Sequence, residues 1–212
     1  MSRNKLPVVV LISGRGSNLQ AIIDRAREAG CPFELAAVIS NRPNAAGLER
    51  ARRAGIATRV VDHKSHTSRE SFDEALAEAI DAYRPGLVVL AGFMRILTAD
   101  FVARYQGRLI NIHPSLLPRF PGLDTHQRAL ASGASEHGAS VHFVTAGLDG
   151  GPLIAQARVP VKADDDADTL AARVLEQEHR ILPEVICRFA EGRLTIDGER
   201  VLLDGKPAVQ LM

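Results

Sequence analysis

Tryptophan is absent from the 212 residues, and aromatic side chains of all kinds amount to 4%. A surface that stacks on successive bases of a single strand needs aromatic platforms, so that class of nucleic-acid binding has no support. Neither sign of charge is in excess. The 26 basic and 25 acidic residues leave a formal net charge of +1, which supplies no field to hold a polyanion unless basic groups cluster. The densest basic group, Arg50, Arg52 and Arg53, falls on a predicted helix among acids and alanines and reads as a solvated face. Cysteine is nearly lacking too. Cys31 and Cys187 stand far apart with no CxxC pair, so a disulfide framework is not expected and a reducing compartment fits. No apolar run approaches the length that spans a bilayer. The short run LPVVVLI follows Arg3 and Lys5 much as in a signal peptide, but SGRGSN stands where small cleavage-site residues belong, so the run reads as a first core strand. The expectation is a soluble, cytoplasmic protein that binds small molecules, without nucleic acid or membrane.

What is present is alternation. With 46% apolar residues, the length suits one α/β domain spanning 1–212. Apolar runs short enough for buried strands occur at Leu6 to Ile12, Phe33 to Ser40, Thr58 to Val61, Leu87 to Ala91 and Arg108 to His113. Between them helical periodicity covers Ser17 to Ala29, Ala45 to Ala54 and Ser68 to Tyr83, the last opening on Thr67 and Glu70 at capping-box spacing. Strand then helix, repeated, predicts a mainly parallel sheet with helices on both faces. Further on come a short helix from Thr125 to Ala131, strands from Ser140 to Val144 and from Leu153 to Val161, and a long helix from Thr169 to Ala190 behind the acidic run ADDDAD. The remainder, GRLTIDGERVLLDGKPAVQLM, reads as a C-terminal antiparallel addition turned at Asp-Gly pairs.

Four places carry polar groups that such a fold would aim at a ligand. In LISGRGSN a strand runs into Gly14, Gly16, Ser17 and Asn18 before a helix opens, which suits a single phosphate at the helix start. Leu19 breaks the dinucleotide GxGxxG pattern. The competing reading is a tight turn capped by Ser17, with no ligand. In NIHPSLLPRF, Asn111 and His113 lie two apart on a strand that Pro114 ends, so both face one way at a carboxyl-terminal strand edge, where α/β sheets bind ligands. An amide and an imidazolium aimed at one spot can stabilise an oxygen that gains charge, as in acyl transfer. Asp149, in GLDGGP, is either an everyday turn residue or a carboxylate that supports His113 and relays a proton. Glu178 lies on the apolar stripe of the long helix, four from Val174 and three from Ile181, where a buried carboxylate needs an Arg or a ligand amine as partner. Pro183, four beyond His179, removes a backbone hydrogen bond and predicts a kink there. His63 and His66 have no third ligand nearby, so no metal is expected and both read as surface residues.

The stretches VLISGRGSNLQAII, SNRPNAAGLERA, VVLAGFMRIL, INIHPSLLPRFPGLDTHQRAL, HGASVHFV and LDGGPLIAQARVPV together resemble the phosphoribosylglycinamide formyltransferases, from about Val8 to Arg193. The resemblance implies a Rossmann-like formyltransferase fold and transfer of a formyl group from 10-formyltetrahydrofolate, as cosubstrate, to the amine of phosphoribosylglycinamide. It implies that Asn111, His113 and Asp149 are catalytic and that Gly16, Ser17 and Asn18 bind the substrate phosphate. By the same resemblance Glu178 holds the glycinamide part, and Arg69, Met94, Arg95, Ile96, Leu97 and Asn111 meet the folate, with the LDGG loop around the pterin. Arg15 stands where some relatives carry Asn. Methionyl-tRNA formyltransferase and formyltetrahydrofolate deformylase share the folate-binding half but carry extra domains for which this length leaves no space. A noncatalytic nucleotide-sensing module is the alternative outside the enzyme class. Helix-bearing surfaces pair without a sequence signature, so a homodimer stays open.

Overall fold

A computed structural model describes residues 5–208. The chain divides into two compact units, the first running to Ile110 and the second beginning at Asn111. Arg3 and the last residues of the expected C-terminal addition, 209–212, lie outside the described residues.

In the first unit, β1 (Leu6–Ile12), β2 (Phe33–Ser40), β3 (Thr58–Val60) and β4 (Leu87–Leu90) form a parallel array in the order β3-β2-β1-β4. Val8 through Ile12 are wholly buried, which is why β1 reads as an unbroken apolar run rather than an alternation. Helices α1 (Ser17–Ala26), α2 (Ala46–Arg53), α3 (Arg69–Asp81) and α4 (Ala99–Arg104) follow their strands. On α1 the residues buried at helical spacing are Leu19, Ile22 and Ile23, each contributing about 1.5–3 kcal/mol through removal from water. Strand β5 (Leu109–His113) carries the chain into the second unit. Its start lies beside β4, since Val88 donates its backbone N–H to the carbonyl of Arg108 at 2.9 Å.

The second unit contains α5 (Thr125–Ala131), β6 (Glu136–Phe143), β7 (Leu153–Pro160) and the long α6 (Ala167–Ala190). β6 and β7 pair antiparallel, and α6 packs across both. A second sheet follows from β8 (Leu194–Asp197), β9 (Arg200–Leu203) and β10 (Lys206–Pro207), antiparallel throughout. The mainly parallel sheet with helices and the C-terminal antiparallel addition are therefore as expected.

Several local expectations need correction. Helix α3 is capped by Ser68, whose hydroxyl accepts from the backbone of Ser71 while Ser71 reciprocates; Thr67 and Glu70 are not the pair. Helix α1 ends at Ala26 rather than Ala29, and α6 starts two residues before Thr169, because Asp166 is its cap and Thr169 the reciprocal partner. β6 begins at Glu136, four residues ahead of Ser140. Its buried His137, Ser140 and His142 are polar and hide the strand from an apolar count. Helix α4 was not expected. Six residues are too few for periodicity to show, and its signal is the cap Thr98, which accepts from Phe101 at 3.3 Å. Pro183 sits inside α6, which continues through it to Ala190.

Gly138 marks the tightest point of the β6–β7 pair: a Cβ there would stand 2.0 Å from the carbonyl oxygen of Ala157. Gly138→Ala is expected to cost about 1–3 kcal/mol of unfolding free energy through strand displacement, measured by urea denaturation. A change below a few tenths would show that the strands part freely.

Candidate active site

The SGRGSN turn leaves β1 and opens α1 with Gly16 as the capping residue, at φ 71. That left-handed backbone favours glycine. The spot is also crowded, since a Cβ on Gly16 would lie 2.7 Å from the Cα of Gly47. Gly47 in turn donates its N–H to the carbonyl of Gly14 at 3.0 Å, so the turn is seated on the start of α2. No side-chain hydrogen bond caps α1. The reading in which Ser17 caps the turn is thereby corrected, and the helix-start N–H groups, which have no partner within a helix, suit an anion. Arg50 is not merely a solvated charge: its Nε donates to the carbonyl of Arg15 at 2.9 Å and its guanidinium reaches Gln20. Arg52 and Arg53 pair with Glu49 on the same helix.

The strap from Gly92 to Thr98 is fixed at both ends. Ser13 donates its N–H to the carbonyl of Gly92 at 3.1 Å, and its hydroxyl accepts from the N–H of Met94 at 2.7 Å while donating to Asn41 at 2.6 Å. At the far end the N–H of Thr98 donates to the carboxylate of Asp73 at 2.6 Å. Burial pushes the Asp73 carboxyl up from its ordinary range, against the opposing pull of the Thr98 bond and of Arg69 and Arg95. Between these anchors Met94 is 58% and Ile96 62% exposed, and Leu97 is half-buried. Two large apolar side chains are thus offered outward on a strap that is pinned beneath. The Arg95 guanidinium lies 5.7 Å above the ring of Phe72, and Arg69 opens α3 on the surface. His63 and His66 are half-buried rather than free on the surface, both with their rings edge-on to Phe72.

In the second unit the end of β5 meets the loop after β6. His113 Nδ1 is 3.4 Å from the carboxylate of Asp149, and His113 Nε2 is 3.0 Å from the carbonyl of Phe120. Both ring nitrogens thus face acceptors. Asn111 Nδ2 lies 3.2 Å from His142 Nε2, which is 3.7 Å from Asp149. The Asp149 carboxylate thus stands near both His113 and His142, and His142 meets Asn111. Asp149 holds φ 50, a conformation that costs a residue with a Cβ roughly 1 kcal/mol or more. It is retained by the N–H of Gly122, which donates to its carboxylate at 2.8 Å. The intervening Pro-rich loop is nailed to the hairpin: Ser140 donates to the carbonyl of Ser115 and accepts from the N–H of Leu117, and Gln156 donates to the carbonyl of Leu117. Glu178 is buried on α6, 7% exposed. Among the described residues no group of three or more His, Cys, Asp or Glu is arranged to hold a metal, and no helix is long and apolar enough to cross a membrane.

Residues 6–186 match the family model for formyl transferases. The chain belongs to the formyl transferase family. It is 57% identical to the phosphoribosylglycinamide formyltransferase of Escherichia coli K12 over 94% of both chains. It is also 45% identical to the human trifunctional purine biosynthetic protein adenosine-3, over 92% of this chain and 19% of that one. Among solved structures, the phosphoribosylglycinamide formyltransferase of Coxiella burnetii superposes with a TM-score of 0.91 at 55% identity, covering 96% of each chain. The glycinamide ribonucleotide transformylase 1 of Symbiobacterium toebii gives 0.92 at 51%, covering 94% of each.

Within this formyl transferase, Asn111 and His113 share the strand end as alternation suggests, and Asp149, open between two readings in the sequence, lies beside His113. His142 was missed. Its only sequence signal is a polar residue two positions after Ser140 on a strand that already holds Glu136 and His137, and a lone histidine there is indistinguishable from one that satisfies a carbonyl.

His126, His137 and His142 are all driven below the ordinary histidine range, in each case first by burial and further by the neighbouring His113; for His137 the value falls to about 4. The folded state thus holds these rings neutral while unfolded histidines take up protons near pH 6.5. Stability should be full above that pH and decline as pH falls toward 4, His137 alone accounting for a loss on the order of 3 kcal/mol. Urea denaturation at pH 7 and pH 5 checks the sign, and His137→Leu should flatten the slope; an equal slope in the variant would clear His137. A second expectation concerns the loop. Asp149→Leu removes the acceptor of Gly122 and should speed proteolytic cleavage between residues 118 and 124 several-fold, while Asp149→Asn, which keeps an acceptor oxygen, should not.

Proposed function

We propose that this chain transfers the formyl group of 10-formyltetrahydrofolate to the amine of 5′-phosphoribosylglycinamide, a step of purine biosynthesis, with both units acting as a single formyltransferase domain. The observation that carries the chemistry is the convergence of Asn111, His113 and Asp149 at the end of β5.

The amine lone pair attacks the formyl carbon and the carbonyl oxygen becomes an alkoxide. An N–H of Asn111 donates to that oxygen, and the imidazolium of His113, paired with Asp149, supplies positive charge beside it. Collapse re-forms the carbonyl and breaks the bond from carbon to the folate nitrogen. The proton lost by the attacking amine passes, with Asp149 as carrier, to the departing nitrogen, so charge and protons balance. Gly16, Ser17 and Asn18 take the substrate phosphate at the start of α1, and Glu178 takes the glycinamide part. Met94, Ile96 and Leu97 offer an apolar surface to a flat pterin, with Arg69, Arg95 and Asn111 as polar contacts. Nothing in this scheme calls for a metal, a nucleic acid or a membrane.

Purified protein should form deformylated folate only when phosphoribosylglycinamide is present. Folate turnover without that acceptor would point to a deformylase, and ligand binding without turnover to a sensor. His113→Ala should lower kcat by about two to three orders of magnitude while phosphoribosylglycinamide still binds; an unchanged kcat would remove His113 from the chemistry. Gly14 has open space where a Cβ would go, so Gly14→Ala should leave stability within about 0.5 kcal/mol yet raise the KM for the phosphorylated substrate.

A further inference from the structure

Asn111 can stabilise an oxyanion only with its amide nitrogen forward. A primary amide has two ends of nearly equal shape, one donating and one accepting, and rotation by half a turn exchanges them. Something must choose. The strand end itself does not, since β-strand backbone fixes the direction of the side chain and not the rotation of its terminal amide.

His142 is placed to make the choice. Its Nδ1 lies 2.9 Å from the carbonyl of Phe143. A carbonyl only accepts, so Nδ1 carries the hydrogen, and in the neutral ring Nε2 is then a bare lone pair. Burial keeps the ring neutral. Asn111 Nδ2 at 3.2 Å donates to that lone pair; the reversed amide would set its oxygen, which has no hydrogen to give, against the same lone pair. His142 is only 2% exposed, so bulk water does not relieve the reversed state. We infer that His142 is a positioning residue for formyl transfer: its Nε2 lone pair, fixed by the Nδ1 bond to Phe143, holds the Asn111 amide with one N–H engaged and the other turned to the reacting oxygen. The inference deepens the proposed function and rests on the role given there to Asn111.

Two amide substitutions separate the two nitrogens of the ring. In His142→Asn the side-chain nitrogen can still serve Phe143 but ends short of Asn111; in His142→Gln an amide oxygen reaches the place of Nε2 and accepts. His142→Asn is expected to lower kcat by about tenfold to a hundredfold with both KM values within about twofold, and His142→Gln to recover most of that loss. In the Asn111→Ala background His142→Asn should add less than about a twofold loss, because the group it positions is gone. The Asn111 side-chain NH2 resonances, followed with nitrogen-15 labelled asparagine, should show two separate protons in the wild type and in His142→Gln and move together in His142→Asn. Equal losses in the Gln and Asn variants, or full additivity with Asn111→Ala, would overturn the inference while leaving formyl transfer intact. An unchanged kcat in Asn111→Ala alone would remove the role of Asn111 and with it that of His142. Where His142→Asn does not fold, His142→Leu, which also lacks an acceptor at the place of Nε2, and its cycle with Asn111→Ala give the same decision.

Discussion

The carboxylate of Asp149 is the interaction on which the second unit's chemistry depends. It is held 3.4 Å from His113 and 3.7 Å from His142 while taking the N–H of Gly122. None of these partners is near it in sequence, and the residue itself sits in left-handed backbone at φ 50. A conformation of that kind persists only where surroundings determine it. Here they do so from both sides: β5 brings His113, and the Pro-rich loop, pinned through Ser115 and Leu117 to Ser140 and Gln156, brings Gly122. The carboxylate thus ties a strand end to a loop and places the imidazole in the same act.

The glycine turn of the first unit follows a comparable logic with backbone in place of charge. Gly16 and Gly47 approach closely: a Cβ on Gly16 would fall 2.7 Å from the Cα of Gly47, and one on Gly47 3.2 Å from the Cα of Gly16. The helix-start N–H groups gain a fixed direction because the turn is packed against α2 rather than left as a free loop. Ser13 extends that rigidity, since its hydroxyl and N–H bind the strap that carries Met94. One buried residue therefore sets both the turn proposed for phosphate and the strap proposed for the pterin, and displacement of either is felt by the other.

What could be read in the sequence was whatever obeys a short period. β1 and β2 were legible to the residue because each carries a buried apolar run, Val8 to Ile12 in one and Ala37 to Ile39 in the other, and Asn111 with His113 was legible because strand alternation places residues two apart on one face. Asp149 was visible only as one of two readings of an Asp-Gly turn; its distance to His113 is a fact of tertiary packing, and the resemblance to known formyltransferases, not spacing, favoured it. His142 and the cap of α3 by Ser68 escaped for a shared reason. Each is a polar residue whose partner is decided by geometry finer than periodicity: which ring nitrogen meets a carbonyl, or which of two adjacent hydroxyls points back at the helix. Ser17 was misread in the same way, because a residue type suited to capping stands next to the glycine that takes the position.

Burial also explains why the second unit can carry a cluster of histidines without becoming a diffuse patch of charge. His126, His137 and His142 are each depressed first by desolvation, with repulsion from neighbouring cations adding to it, His126 and Arg119 foremost for His137 and His113 for the other two. His113 is the member with an acid beside one nitrogen and a carbonyl beside the other. The desolvated rings around it exclude water, which raises the worth of a single charge at the strand end. The arrangement thus sets one imidazole between an acid and a carbonyl and leaves His142 as a neutral acceptor. The same burial that costs stability under acid leaves His142 Nε2 as an acceptor for the amide of Asn111.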